Sequence, residues 1–310
     1  MRNVMETAST ANEPKRRIGL ANFLIRLVRE KPLGAASAIV ILILIVVGIL
    51  ADVLAPYPYD EVHLVDRMQG ASARYLLGTD QLGRDFLSRI IYGARTSLLV
   101  GLAATALNVV VAVLIGGTSG FIGGKFDLVV QRFVDAWMGF PGLLLLLTIM
   151  SIVGRGIPQI ILVLGISGGI AGSRTLRSAV IGIKENVYFQ TAEAIGSSKW
   201  TAFVRHVVPN IMPVVIISFS ISIGGMIMYV ASLSFLGFGL PLEIPEWGGL
   251  LSREGKQYME IAPWLALWPG LCLTITVFSL NMFGDAIRDL LDPRLIGGAE
   301  RLGAQEARSV

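Results

Sequence analysis

The sequence predicts an all-α integral membrane protein with about six transmembrane helices, and three observations carry that prediction. The chain of 310 residues is 54% hydrophobic, with a mean hydropathy of +0.68. Only 15% of its residues are charged, against about 25% in a soluble domain. Its apolar residues collect in six runs, each near the roughly 20 residues that a helix needs to cross hydrocarbon with its backbone polar groups satisfied internally.

The runs fall at 35–54, 97–117, 136–153, 157–171, 211–233 and 264–283. The first contains Asp52 near its end, and the polar segment before it is too long and too charged for an ordinary signal peptide, so it reads as a retained span. The fourth is short and glycine-rich. Gly168, Gly169, Gly224, Gly225 and Pro269 inside the runs suit helices that approach closely in lipid. Lysine and arginine in the connections set the orientation. With the N-terminus inside, the inner segments hold 18 basic residues and the outer ones 8, which puts both termini in the cytoplasm. The chain then divides into a cytoplasmic segment 1–34, a first span with an outer segment 35–96, a membrane domain 97–284 and a cytoplasmic tail 285–310.

What the runs lack narrows the function. Asp52 is the ionisable residue within them, with Asp135 and Asp285 at their boundaries. A charge at a helix centre costs about 2.5–3.5 kcal/mol on insertion scales, and ion-driven carriers accept that cost to build relays. A stand-alone secondary carrier is therefore the weaker alternative. Asn108 and Asn281 read as interhelical hydrogen-bonding residues. A membrane enzyme or channel is poorly supported: His63 and His206 fall on opposite sides, Cys272 is the single cysteine, and no nucleophile elbow, phosphate-binding glycine loop or charged pore ring is present. The basic residues form no nucleic-acid patch. The chain shows no catalytic residues, no cofactor or metal site, and no energy source of its own.

The connection 185–210 is the informative exception. At 100° per residue, Trp200, Phe203, Val204, Val207 and Val208 form one stripe, with Lys199, Ala202, Arg205 and His206 opposite. Upstream, Tyr188, Ala192 and Ile195 share a face while Gln190, Thr191 and Glu193 turn away. Gly196 with the two following serines breaks the pieces, and Pro209 is expected to stop the second before the next span. Two readings stay open on the residues alone: an interfacial hairpin on the inner leaflet, or a short helix that fills a partner's groove.

This segment resembles the EAA loop of bacterial ABC importer permeases, whose pattern is E-A-A, three residues, G, nine residues, I-x-L-P. The matching positions are Gln190, Thr191, Ala192, Gly196, His206, Val208 and Pro209. The family's glutamate is Gln190 here and its first alanine is Thr191, with Glu193 the nearest carboxylate. Four further stretches resemble the C-type subunit of the dipeptide/oligopeptide/nickel permeases: LGTDQLGRDFLSRIIYGARTSL (77–98), DAWMGFPGLLLLL (135–147), PEWGGLLSREGKQYMEIAPWLALWPGL (245–271) and NMFGDAIRDLLDPRL (281–295). On the residues themselves, Thr79 or Asp80 is expected to cap a helix striped by Leu82, Phe86, Leu87, Ile90 and Ile91. The 281–295 stretch reads as the end of the last span, with Pro293 stopping it and Arg288 and Arg294 anchoring it inside.

The resemblance implies a type I ABC importer permease fold in the bacterial inner membrane. It implies a B-type sister permease, two ABC ATPase subunits that carry ATP and Mg, and a periplasmic substrate-binding protein. It makes the loop the ATPase-coupling element, through Gln190, Thr191, Ala192, Glu193, Ile195, Gly196, Trp200, His206 and Pro209. It makes Glu246, Trp247 and Arg253, in an outer loop that otherwise reads as a solvated lid, the place where the binding protein docks. The implied cargo is a di- or oligopeptide, with nickel or another small solute as the alternative within the family.

Overall fold

The computed structural model describes residues 20–291 except 195, 197 and 242. Among these the chain is helical, with one isolated bridge between Thr79 and Asp85. Helix α1 (Leu20–Glu30) leads into α2 (Pro32–Ile49), and an irregular segment follows to α3, which runs over Phe86–Ile122. Next come α4 (Gly124–Met138), α5 (Gly142–Val153), α6 (Ile157–Lys184) and a short α7 (Val187–Ala194). The chain closes with α8 (Phe203–Phe235), a four-residue α9 (Trp247–Leu250) and α10 (Trp264–Leu291).

Five of these helices are long and apolar enough to cross a membrane, and α4 with α5 makes a sixth candidate, bent by 89° at its break. The six expected runs are found, but several have other bounds. The third is interrupted at 139–141, where Gly139 ends α4 and Pro141 precedes α5. A proline removes a donor and disfavours helix in the residue before it, which accounts for the break. The fourth run is not short: α6 has 28 residues and carries Arg174 and Arg177. Hydropathy stops at Ala171 because it counts those guanidiniums as loop, yet Arg177 meets Asp127 of α4 at 2.5 Å and Arg174 pairs with Asp135.

The tightest packing joins α6 to α3. A Cβ added at Gly169 would lie 2.5 Å from the Val111 side chain, and one at Gly165 would lie 2.7 Å from Leu107. Helices in lipid gain little from burying apolar surface, so small residues that let backbones meet decide which pairs associate. Helix α8 packs on α10 and α3, and α2 on α10 and α3. In contrast, Val134 is the single buried residue of α4, which is held by its ion pairs.

The two ends of the bundle differ. At the end where α6 begins, the irregular segment before α3 and the connection after α8 close over the helices. Asp52, just beyond α2, sits on Arg95, whose guanidinium, with the Tyr92 hydroxyl, holds the carboxyl below its usual range. Burial and a hydrogen bond to Asp66 push the Tyr75 hydroxyl up to about 12. Neither Thr79 nor Asp80 caps α3. Asp85 does, accepting from the Ser88 N–H at 2.8 Å, and Leu82 lies in the turn before the helix. Asp80 instead joins a buried charge cluster. Its carboxylate meets Arg84 at 2.6 Å and Arg89 at 3.6 Å, and Glu254 meets Arg89 at 3.0 Å. Arg89 and Asp80 are fully buried, and Glu254 is 2% exposed.

Removing one partner of such a cluster leaves an uncompensated buried charge, at a cost of about 3–5 kcal/mol. Arg89→Ala is expected to lower the thermal midpoint of the detergent-solubilised chain clearly. Arg26→Ala, which breaks an exposed pair with Glu30, should leave that midpoint within about 1 kcal/mol equivalent.

Candidate functional site

The other end of the bundle, where α6 runs out at Lys184, carries the 185–210 connection. Helix α7 follows α6 after a two-residue link, and the chain turns at Gly196 with φ +88°, a conformation that glycine adopts without the Cβ penalty. The Ser198 hydroxyl accepts from the Thr201 N–H at 3.2 Å and so caps the turn Lys199–Ala202. A π-helical turn, Phe203–Val207, then feeds directly into the long helix. Pro209 therefore does not stop the second piece. It lies two residues past the π-helical turn, inside the continuous run Phe203–Phe235, where its missing N–H removes one intrahelical bond without ending the helix.

This helix–turn–helix is fixed to the bundle by aromatic rings. Phe189 of α7 is 1% exposed and meets Phe121 of α3 edge-on, with ring centres 6.4 Å apart. Phe121 also meets Phe203 at 4.9 Å. Lys184 lies over the Phe121 ring at 5.7 Å and donates to the Phe121 carbonyl at 2.7 Å. Val180, Ala202, Val207 and Ile211 are buried around these rings, so α3, α6, α7 and α8 share one small core here. Aromatic pairs add about 0.5–1.5 kcal/mol each beyond their buried area.

The face turned away from this core is open. Val187, Gln190, Thr191, Gly196, Ser198, Arg205 and Pro209 are exposed, and His206 is half-buried. A Cβ on Gly196 would meet nothing within 4 Å. Two helical-stripe assignments change: Ala202 is buried and Val204 is 45% exposed. The π-helical turn adds a residue to the cycle and re-phases the side chains, which a constant 100° count does not follow. Ile195 lies outside the described residues, as do the side chains of Tyr188, Ala192, Glu193, Lys199 and Trp200; so do Pro293 and Arg294. Neither Phe121, between Gly120 and Ile122, nor Phe189, between Tyr188 and Gln190, carries a sequence signal, because what marks them is a tertiary contact.

The three outer-loop residues do not form an exposed patch. Trp247 is 1% exposed, and its indole donates to the Ile90 carbonyl at 3.0 Å. Glu246 is equally buried and caps α9, accepting from the N–H groups of Gly248 and Gly249 at 2.7 and 2.8 Å. The two are consumed in seating α9 between α3 and α8. Arg253 alone of the three keeps part of its side chain at the surface, 24% exposed.

Between the ends, the bend from α4 to α5 opens a cavity of about 230 Å³. Trp137, Phe140, Ser167, Gly168, Met226 and Tyr229 line it. Asn108 faces Gly168 across the α3–α6 contact, and Asn281 of α10 faces Gly224 of α8. Interrupted helices around a cavity are the usual setting for substrate passage in transporters.

A multi-pass helical bundle with a broken span, an inner cavity and a helix–turn–helix docked by its own aromatics is the architecture of a transmembrane permease. The chain belongs to the family of binding-protein-dependent transport system inner membrane components, whose model matches residues 112–297. Residues 22–73 match the N-terminal transmembrane domain of oligopeptide transport permease C. Over 263 residues the chain is 35% identical to the glutathione transport system permease protein GsiD of Pectobacterium atrosepticum, covering 84% of this chain and 87% of that one. It is 33% identical over 267 residues to the dipeptide transport system permease protein DppC of Alkalihalophilus pseudofirmus, covering 86% and 88%. The fold is that of a chain of the MetNI methionine ABC transporter in an inward-facing conformation, with TM-score 0.54 and 15% identity over 66% of this chain and 96% of that one. The protein is thus a multi-pass inner-membrane permease component.

Phe121→Ala tests the anchor. A Phe→Ala change in a packed core costs about 3–5 kcal/mol, and this half-buried ring should fall at the low end. Amide hydrogen exchange over 187–207 is expected to accelerate, while α2 and α10 keep their protection. Unchanged exchange over 187–207 would show that the anchor lies elsewhere.

Proposed function

We propose that this chain is the C-type permease subunit of an ATP-driven importer that carries di- and oligopeptides across the inner membrane. It pairs with a B-type sister permease, and each permease presents its loop to one of two ABC ATPase subunits, which bind ATP and Mg. A periplasmic binding protein delivers cargo at the opposite end. The carrying observation is the exposed helix–turn–helix at 187–202, tied through Phe121, Phe189 and Phe203 to α3, α6 and α8. A partner that pushes on this element pushes on three spans at once. The excess of lysine and arginine on the loop's side supports a cytoplasmic position for it and for both termini.

In this reading the chain performs no bond chemistry. Its open face, with Gln190, Thr191, Gly196 and Arg205, meets the ATPase, and Ala192, Glu193, Ile195, Trp200, His206 and Pro209 belong to the same element. Closure of the ATPase pair on ATP moves the element, and the helices above it exchange which end of the cavity is open. Peptide cargo is supported by the glutathione and dipeptide permeases among the relatives. Arg253, part of whose side chain reaches the surface at the opposite mouth, is the residue of this loop offered to the binding protein, with Glu246 and Trp247 shaping the surface beneath it.

Gly196 gives the direct test. Alanine and glutamate at a positive φ carry the same backbone penalty, about 1–2 kcal/mol, so their difference isolates bulk and charge facing the partner. Gly196→Glu should reduce co-purification of the ATPase at least tenfold below Gly196→Ala, or about 1.4 kcal/mol. ATP-dependent tripeptide uptake in proteoliposomes should fall with it. Equal ATPase retention in the two variants would contradict the coupling assignment.

A further inference from the structure

We infer that a small cavity at the mouth where α6 begins is a subsite for the carboxylate of the cargo, which rests on the peptide reading above. The cavity holds about 70 Å³ and lies between the α5–α6 connection and the connection after α8. Arg155, Arg253, Ser234, Ser252, Glu246 and the glycine turn 237–239 line it.

Its chemistry is that of an anion site. Arg155 has no ion pair among the described residues and is exposed beside the cavity. Arg253 is oriented by its Nε, which donates to the Gly249 carbonyl at 3.1 Å. Ser234 is 7% exposed, and its Oγ has no hydrogen-bond partner among the described residues. A buried hydroxyl left unpaired costs about 1–3 kcal/mol unless something fills the site. Glu246 also lines the cavity, but both its carboxylate oxygens are taken by the N–H groups of Gly248 and Gly249. Arg253 also lies 3.9 Å from Glu254, so the guanidinium that brings an unpaired positive charge to the cavity is that of Arg155.

Size and shape select the ligand. The space is small, enough for a few water-sized groups, so it admits a group such as a carboxylate and no whole peptide. A carboxylate fits that volume, and the planar guanidinium fork matches its two oxygens. Every unmodified peptide carries one at its C-terminus whatever its side chains. A subsite for it would hold one end of the cargo at the mouth without reading sequence, which suits import of varied short peptides. An acidic side chain of the binding protein offers the same group, and the test separates the two sources.

The experiment uses the assembled transporter with its binding protein in proteoliposomes, and trialanine and trialanine amide as probes. Loading of each probe on the binding protein is measured separately, and uptake is compared at equal loading. Wild type should prefer the free carboxylate by about tenfold or more, the range of a charge-assisted hydrogen bond. Arg155→Gln should bring that preference close to one, Ser234→Ala should reduce it severalfold, and Arg155→Lys should keep part of it. Association of the binding protein with the permease should not change. Equal loss for both probes, together with weaker binding-protein association, would overturn the cargo assignment in favour of a docking contact. A wild type that moves both probes without preference would also overturn it. A wild type that moves neither would overturn the peptide reading, and the subsite with it.

Discussion

Where the glycine face of α6 meets α3, the missing side chains of α6 leave room for Leu107 and Val111 of α3 and, at Gly169, for the Asn108 carbonyl. Gly165 and Gly169 admit Leu107, Asn108 and Val111 so closely that even one added methyl group would overlap them. Lipid offers no hydrophobic reward for pairing helices, so this contact rests on dispersion and fit, which are lost together if the helices separate. The remaining architecture is arranged about that pair. At one end α6 presents the connection that contains Arg155. At the other it ends in Lys184, whose ammonium ties it again to α3 and whose chain continues into α7.

The Phe121 anchor extends this unit to the exposed loop. Because Phe121 belongs to α3, and Phe189 and Phe203 lie on the two sides of the Gly196 turn, one ring joins the loop to both partners of the glycine contact. The continuous run through the π-helical turn into α8 adds a third span. Helix α4 stands apart from this arrangement. It is joined to α6 by Arg177–Asp127 and Arg174–Asp135 and buries a single residue of its own. Exposed ion pairs contribute about 0–1 kcal/mol each and a bidentate one such as Arg177–Asp127 more, but with only Val134 buried on α4, α4 can shift against α6 more cheaply than α3 can. The cavity at the α4–α5 bend lies at the border between the tight and the loose parts.

The sequence carried the helical class, the six apolar runs and the position of the loop, because hydropathy and the glycine–proline pattern are local signals. It was less informative where tertiary contacts decide. Arg174 and Arg177 looked like loop residues because their carboxylate partners are some 40–50 residues away. Trp247 and Glu246 looked like a surface patch because charges surround them in sequence, whereas the fold turns the indole onto Ile90 and spends the carboxylate on a helix cap. Asp80 looked like a cap and is instead part of a buried cluster with Arg84, Arg89 and Glu254. The helical stripe in 199–208 was off by a step because a π-helical turn cannot be read from periodicity. The Gly196 turn was legible from glycine alone.

The central claim is that the loop and α6 move as one body, with α4 shifting against them. Distances between spin labels in the assembled transporter measure this directly, since Thr191 of the loop, Leu162 of α6 and Leu128 of α4 are all exposed. Between nucleotide-free and ATP-bound states, the Thr191–Leu162 distance should change by no more than about 1–2 Å, the scale of a small helix shift. The Thr191–Leu128 distance should change by clearly more. A Thr191–Leu162 change as large as the Thr191–Leu128 change would contradict the account, because the loop would then move independently of the helix to which it is anchored.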